Sequence, residues 1–437
     1  MAGIPNFVVI FLDDSGWADF RPFGDTDYPT PNVEQLAADG CRFDQFYVPQ
    51  AICSASRAAL LTGCYPERTK VFGALSPRVR GLDPSMPVLS EVLKQRGYAT
   101  GFFGKWHIGD HEETRPPARG FDESAGLMYS NDMWKHHPES RWFDQFELQY
   151  WESGNVVIDD VSPEQQRQLT TWATEYAVDF IKRHGDEPFF LYVPHNMPHV
   201  PIFCSDKFEG KSGCGLYADV MMEIDWSVGQ IRQALVEAGV DDNTLIVFTS
   251  DNGPWISYGN HAGRTPFREA KGTSFDGGTR SACIMAWPGR IAAGGACSRA
   301  FCSVDLLPTF ANLAGAPLPE SPIDGVDVWP LISGDENACN PHDYYPFSTG
   351  RTFEGVISGD GKWKLHLPHS YRKLVRAGCD GEPGEYGEGF IELSLFDMEN
   401  DPYETTNVAE EHPEIVARLK AWAEQHRARW YGEDEGE

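Results

Sequence analysis

The sequence predicts an α/β fold: a large, mostly parallel or mixed sheet sandwiched by helices, followed by a small C-terminal α+β domain of antiparallel sheet plus helix. Short apolar, β-branched or aromatic runs alternate with helical segments, the pattern of a sheet covered on both faces. Polar residues capable of chemistry follow those runs closely, and such sheets form their sites at the carboxyl ends of strands. Beyond residue 335 the alternation gives way to short strands with tight turns, which predicts the second unit.

Residues 6–12 (NFVVIFL) show no polar alternation, so they read as a strand buried on both faces, ending in Asp13-Asp14. Residues 32–39 have helical spacing, 56–61 open a second helix, and 86–95 form a third before a strand at 97–103. A long helix over 170–184 precedes a central strand at 188–193 (PFFLYV). The helix 217–238 stops at Gly239, the strand 244–249 (TLIVFT) runs into Ser250-Asp251-Asn252, and a further strand spans 282–286. The segment 129–163, with Trp134, His136, His137, Trp142 and Trp151, has weak periodicity and reads as an insertion or loop excursion. Residues 317–346 are rich in proline, glycine and acids and read as a linker, which places the domains at 1–335 and 336–437. In the second, 355–367 alternates around a Gly-Asp-Gly turn, 393–396 is a strand and 413–427 an amphipathic helix.

A formal net charge of -29 argues against nucleic acid, which needs a basic footprint. It also means that an anionic ligand is repelled at long range, so an anion site must build its own positive field. No apolar run reaches the ~20 residues of a membrane span. The N-terminus lacks a basic stretch followed by a long apolar one, so as given the chain reads as cytoplasmic, or as periplasmic or secreted if a signal preceded it. The 10 cysteines form no CxxC pair and no zinc pattern, which suits buried thiols, with disulfides open in an oxidising compartment. A homo-oligomer stays open.

Asp13, Asp14, Asp251 and Asn252 stand at two strand ends. Three carboxylates and an amide without a soft donor suit a hard cation, and like charges packed together need one, although either pair alone is also a common turn. Cys53 stands at a helix start, where backbone N–H groups favour negative charge, and Arg57 shares its face four residues on. Lys105 and His107 follow one strand, His195 and His199 another, and Lys271 lies in a glycine-rich stretch before a third. Each of these is also compatible with a structural polar group.

Together these elements resemble the sulfatase family of the alkaline phosphatase superfamily. CSASRAALLTG is similar to the signature C-x-[P/A]-x-R, with Ala55 where proline is frequent. GKWHIG, PHVP, SDNGP and KGTSFDGGTRSACIMAWPG follow in the family's order, over about residues 5 to 316. The resemblance implies a sulfuric ester hydrolase, arylsulfatase-like, acting on an aryl sulfate or a sulfated saccharide. It implies that a maturation enzyme oxidises Cys53 to formylglycine, whose hydrate attacks sulfur. It implies Ca²⁺, with Mg²⁺ as the alternative, held by Asp13, Asp14, Asp251 and Asn252 with the modified Cys53. Arg57 and Lys105 would fix the hydrate, His107 would take its second proton, and His199 and Lys271 would face the leaving oxygen. Lys105 and Lys271 would also contact the sulfate, and His195 would either stand behind the site residues or contact the substrate. A phosphonate or phosphate monoester hydrolase, or a non-catalytic binder of sulfated glycans, is the alternative that the same motifs leave open.

Overall fold

The computed structural model describes residues 3–431. An 11-stranded sheet comprises β1 (Asn6–Leu12), β2 (Cys41–Tyr47), β3 (Ala99–Lys105), β4 (Glu123–Leu127), β5 (Tyr150–Glu152), β6 (Asn155–Ile158), β7 (Phe189–Pro194), β8 (Thr244–Ser250), β9 (Arg280–Ala286), β10 (Gly295–Cys297) and β11 (Phe301–Cys302). Their order is β10-β2-β9-β8-β1-β7-β3-β4-β5-β6, with β11 beside β2.

The centre is parallel: β1 pairs with both β7 and β8, and β3 with β7 and β4. Antiparallel β9 separates β8 from β2, and antiparallel β5 and β6 close the other side. Strand β1 shows why its sequence lacks alternation. Val8, Ile10 and Leu12 pack into a core built with the helices Pro31–Asp39, Leu169–His184 and Leu216–Ala238. Phe7, Val9 and Phe11 pack on the other face against Cys53–Thr62, Leu89–Lys94 and Leu306–Ala314. Each of the six apolar residues of β1 therefore meets a helix layer.

The helix expected over 86–95 is only Leu89–Lys94. Pro87 pushes the residue before it out of helical geometry, and Glu91 caps the backbone N–H of Val88 at 2.9 Å. The segment 129–163, expected as an excursion, is partly sheet: β5 and β6 extend the edge next to β4.

The C-terminal unit is a four-stranded antiparallel sheet, β12 (Tyr344–Thr349), β13 (Thr352–Ser358), β14 (Trp363–His366) and β17 (Ser394–Asp397), with the helix Pro413–Trp430 packed on it. A separate antiparallel ribbon, β15 (His369–Arg376) with β16 (Glu385–Ile391), projects from it. The expected linker is largely built into the molecule. Asp324 accepts from Arg68 at 2.6 and 2.9 Å and from Tyr65 N–H at 3.0 Å, and the turn Trp329–Ile332 buries Leu331 and Ile332. A buried charge cluster joins the units: Lys364 Nζ lies 2.7 Å from Asp276 and 3.0 Å from Glu404, and Asp276 N–H donates to Glu404 at 2.8 Å. Among the described residues no helix is long and apolar enough to cross a membrane, and all 10 cysteines are free thiols.

Candidate active site

Because β1, β8, β7, β3 and β4 run parallel, their carboxyl ends open on one edge of the sheet. Strand β2 is antiparallel to β9, itself antiparallel to β8, so β2 also points its end to that edge and leads into the helix Cys53–Thr62. The segment 271–279 reaches the same edge as it enters β9. The topology thus collects six of the stretches singled out in the sequence.

Adjacent strand residues face opposite ways, yet Asp13 and Asp14 both serve this edge. Asp14 solves the problem with φ 63°, a left-handed conformation that costs a non-glycine residue about 1–3 kcal/mol. His107 at the end of β3 does the same with φ 61°. Arg57 Nη2 lies 2.8 Å from Asp251 and 3.5 Å from Asp13, and Nη1 donates to the Lys105 carbonyl at 3.1 Å. Lys105 Nζ bonds Asp13 and donates to Ser130 Oγ at 3.1 Å. Lys271 Nζ bonds Asp14 at 2.7 Å, and Asn252 Nδ2 donates to Asp14 at 2.8 Å. All these groups are buried. Three carboxylates, Asp13, Asp14 and Asp251, therefore face three cations, Arg57, Lys105 and Lys271.

The donor set leaves room for a further cation. The buried Oδ1 atoms of Asp13 and Asn252 accept no hydrogen bond from the described residues. Oxygens of Asp13 and Asp14 and a ring nitrogen of His199 all lie within 4.8 Å of one another. Burial and the charge of Asp13 push Asp251 above the usual carboxylate range, a like-charge strain that a divalent cation relieves. Burial also opposes the charge on Asp13, but Lys105, His199, Arg57 and Lys271 outweigh it and hold that carboxyl well below its usual range.

Cys53 opens its helix and lines a cavity of about 270 Å³ together with His107, His199 and Lys271. Burial pushes its thiol up to about 11, against the pull of Lys105 and Lys271, so at neutral pH it is protonated. Burial and Lys105 hold His107 well below the usual histidine range, so its ring is neutral. His107 Nε2 lies 2.9 Å from the Leu75 carbonyl, which can only accept, so the proton is on Nε2 and the lone pair on Nδ1. That Nδ1 is buried without a partner. His199 Nδ1 is engaged by the Val200 carbonyl, and its Nε2 lies 3.5 Å from Ser130 Oγ and 3.6 Å from Asp14 Oδ2.

His195 is set apart. Its Nε2 meets Ser227 Oγ at 3.1 Å, burial alone lowers it to about 4, and it does not line the cavity. Strand parity explains this: His195 continues the Leu191–Val193 side of β7, which faces the helix Leu216–Ala238. Conversely, the cavity includes residues that the sequence reading did not assign. Ser130 and Asp132 follow β4, His137 and Phe143 come from the excursion, Trp255 follows β8, and Arg372 comes from β15. The strand-end rule applied to β4 would have found the first two, but ESAGL does not read as a strand. Gly126 is required there because a Cβ would sit 1.8 Å from the Gly104 carbonyl oxygen. Arg372 had no signal; its Nε donates to the Lys271 carbonyl at 3.1 Å. A larger groove of about 690 Å³, bordered by Leu36, Ile246 and the Arg232–Asp39 pair, holds no such grouping.

The family model described as "Sulfatase" matches residues 5–316. The chain belongs to the sulfatase family. Arylsulfatase A of Bos taurus is 36% identical to this sulfatase over 436 residues, 95% of this chain and 85% of that protein. N-acetylgalactosamine-6-sulfatase of Homo sapiens is 32% identical over 456 residues, 97% and 85% of the two chains. The crystal structure of PsFucS1 sulfatase from Pseudoalteromonas sp. superposes with a TM-score of 0.88 at 25% identity, covering 100% of this chain and 92% of that one. Ps i-CgsB in complex with k-i-k-neocarrahexaose gives 0.80 at 28% identity, with 96% and 93% covered. This sulfatase is a sulfuric ester hydrolase.

Proposed function

We propose that the chain hydrolyses sulfate monoesters with a nucleophile made by oxidising Cys53 to formylglycine, beside a Ca²⁺ ion, or Mg²⁺, held by Asp13, Asp14, Asp251 and Asn252. The observation that carries this reading is the placement of Cys53. It opens a helix among Lys105, Lys271, Asp13 and Asp251, yet burial keeps its thiol protonated and so a poor nucleophile. The hydrated aldehyde supplies an oxygen nucleophile for sulfur, and the cation supplies charge for the sulfate oxygens.

This chain's own residues do the rest. Arg57 and Lys105 hold Asp13 and Asp251 in place and contribute positive field at residue 53. His107, with its Nδ1 lone pair unpartnered, takes the proton from residue 53 when sulfate is released. Lys271 remains an ammonium because Asp14 and its neighbours outweigh burial, and it presents charge to the leaving oxygen beside His199. A divalent cation held there would add two positive charges to the field of Arg57, Lys105 and Lys271, which suits an anionic ester in a chain of net charge -29. Because Cys53 is buried, the maturation enzyme must meet this segment before the chain folds.

Co-expression with a maturation enzyme followed by mass spectrometry of the peptide containing residue 53 tests the reading. The rate of sulfate release should track the aldehyde fraction. Full activity in protein whose residue 53 is entirely thiol would overturn it.

A further inference from the structure

The cavity holds a polar atom for which the chemistry at sulfur has no use. Asp132 follows β4, lies 6% exposed and lines the cavity with Cys53 and His199. Its Oδ2 is 3.4 Å from His137 Nε2, while its Oδ1 is buried with no hydrogen-bond partner among the described residues. A carboxylate oxygen buried without a donor is costly, and a ligand that brings a donor recovers that cost. Burial opposes its charge, but His199, the His137 hydrogen bond, Ser130 and Lys105 more than offset it, so Asp132 is an anion.

We propose that the leaving group is a saccharide ring with a free hydroxyl beside the sulfate ester, and that Asp132 accepts the hydrogen bond from that hydroxyl. This rests on the sulfatase reading of the same cavity. An aryl ring brings no donor to Asp132 Oδ1 and leaves it unpaired. A second sulfate in that position meets a buried carboxylate and is rejected by like charge. The remaining wall suits a sugar: Trp255, Phe143 and Met133 offer apolar faces to ring C–H groups. Trp255 lies under Lys271, with Nζ 4.3 Å from its ring centroid, so a ring resting on Trp255 sits next to the leaving oxygen that Lys271 faces. The volume of about 270 Å³ is at the small end for ligand cavities and fits one ring with its sulfate rather than several.

The test uses matured, Ca²⁺-loaded protein with its aldehyde verified. Its substrates are a pyranose monosulfate with free neighbouring hydroxyls, the analogues lacking one of them, a ring sulfated at the neighbouring position, and 4-nitrophenyl sulfate. One deoxy analogue should lose roughly 10- to 100-fold in kcat/KM, and the disulfated ring should be similarly poor. In Asp132→Ala the penalty for that deoxy analogue should shrink to within about threefold, and Asp132→Asn should relax the rejection of the disulfated ring. The wild-type comparison stands even if a variant fails to fold. Equal use of all deoxy analogues, preference for the disulfated ring, or preference for 4-nitrophenyl sulfate would overturn the inference and leave the sulfatase reading intact. No sulfate release from any substrate would overturn the formylglycine reading, and this inference with it.

Discussion

The floor of the site lies behind the residues that line the cavity: Asp13, Asp14, Asp251, Asn252, Lys105 and Arg57 end or follow strands or sit on a helix, and all are buried. At the rim, Asp132, His137 and Trp255 come from irregular segments, and Arg372 comes from a ribbon of the other unit and is half-buried. The floor is held by charges that fix one another, so its geometry exists before substrate arrives. The rim is joined by other contacts: Asp132 with His137 at 3.4 Å, and Arg372, whose Nε and Nη2 both donate to the Lys271 carbonyl. The contrast teaches that sulfur chemistry and leaving-group choice are built separately here, and that substitutions in the two zones should fail differently.

The largest expected effect lies in the floor. Cys53→Ala should lower sulfate release by at least about 10³-fold while circular dichroism and the melting temperature stay close to wild type. Retained turnover would erase the distinction between the zones.

Next, Asn252→Ala removes a buried oxygen with no protein partner, so Ca²⁺ should bind about 10- to 100-fold more weakly by calorimetry. Chelation should also lower the wild-type melting temperature, since a ligand at 100 times its Kd stabilises by about 2.7 kcal/mol. A melting temperature indifferent to chelator would count against a resident cation.

A smaller effect tests how the floor is supported from behind. Asp19 accepts from Gly16 N–H at 2.6 Å, Arg264 N–H at 2.7 Å and Tyr217 at 2.6 Å, behind the Asp13-Asp14 turn. Burial raises it to about 6. An acid raised on folding binds its proton more tightly in the folded state, so Asp19's own contribution to wild-type stability falls as pH rises from about 4 to about 6. Asp19→Asn lacks this slope. The stability gap between variant and wild type should narrow by on the order of 2 kcal/mol across that window in denaturant titrations, and a constant gap would refute the assignment.

The smallest effect belongs to the rim. Arg372→Ala frees the Lys271 carbonyl and should reduce kcat/KM about 3- to 10-fold with Ca²⁺ affinity unchanged. A matching loss of Ca²⁺ affinity would mean that floor and rim are one unit.

The same division governs what the sequence discloses. Strands β1, β7 and β8 were legible because burial on both faces makes them continuous apolar runs, and the residues after them could be placed without side-chain detail. Strand β2 was not: Arg42, Asp44 and Gln45 interrupt CRFDQFY, since β2 lies toward the sheet edge between β9 and the short β10. Strand β4 was hidden by its own glycine, and with it Ser130 and Asp132. Whether His195 stands behind the site or lines it could not be decided from the sequence, because strand parity beyond Val193 cannot be followed through Pro194. Arg372 is more than 300 positions from Cys53 and belongs to a hairpin whose approach no local pattern encodes.

The cluster of Lys364, Asp276 and Glu404 has a practical outcome. Residues 317–322 are mostly exposed, so a protease would cut there first. The two fragments would stay together, because desolvated ion pairs are little screened by added salt and losing one partner costs about 3–5 kcal/mol. Such a nicked enzyme would run as two bands on a denaturing gel and as one particle in solution, still holding Arg372 against its carbonyl.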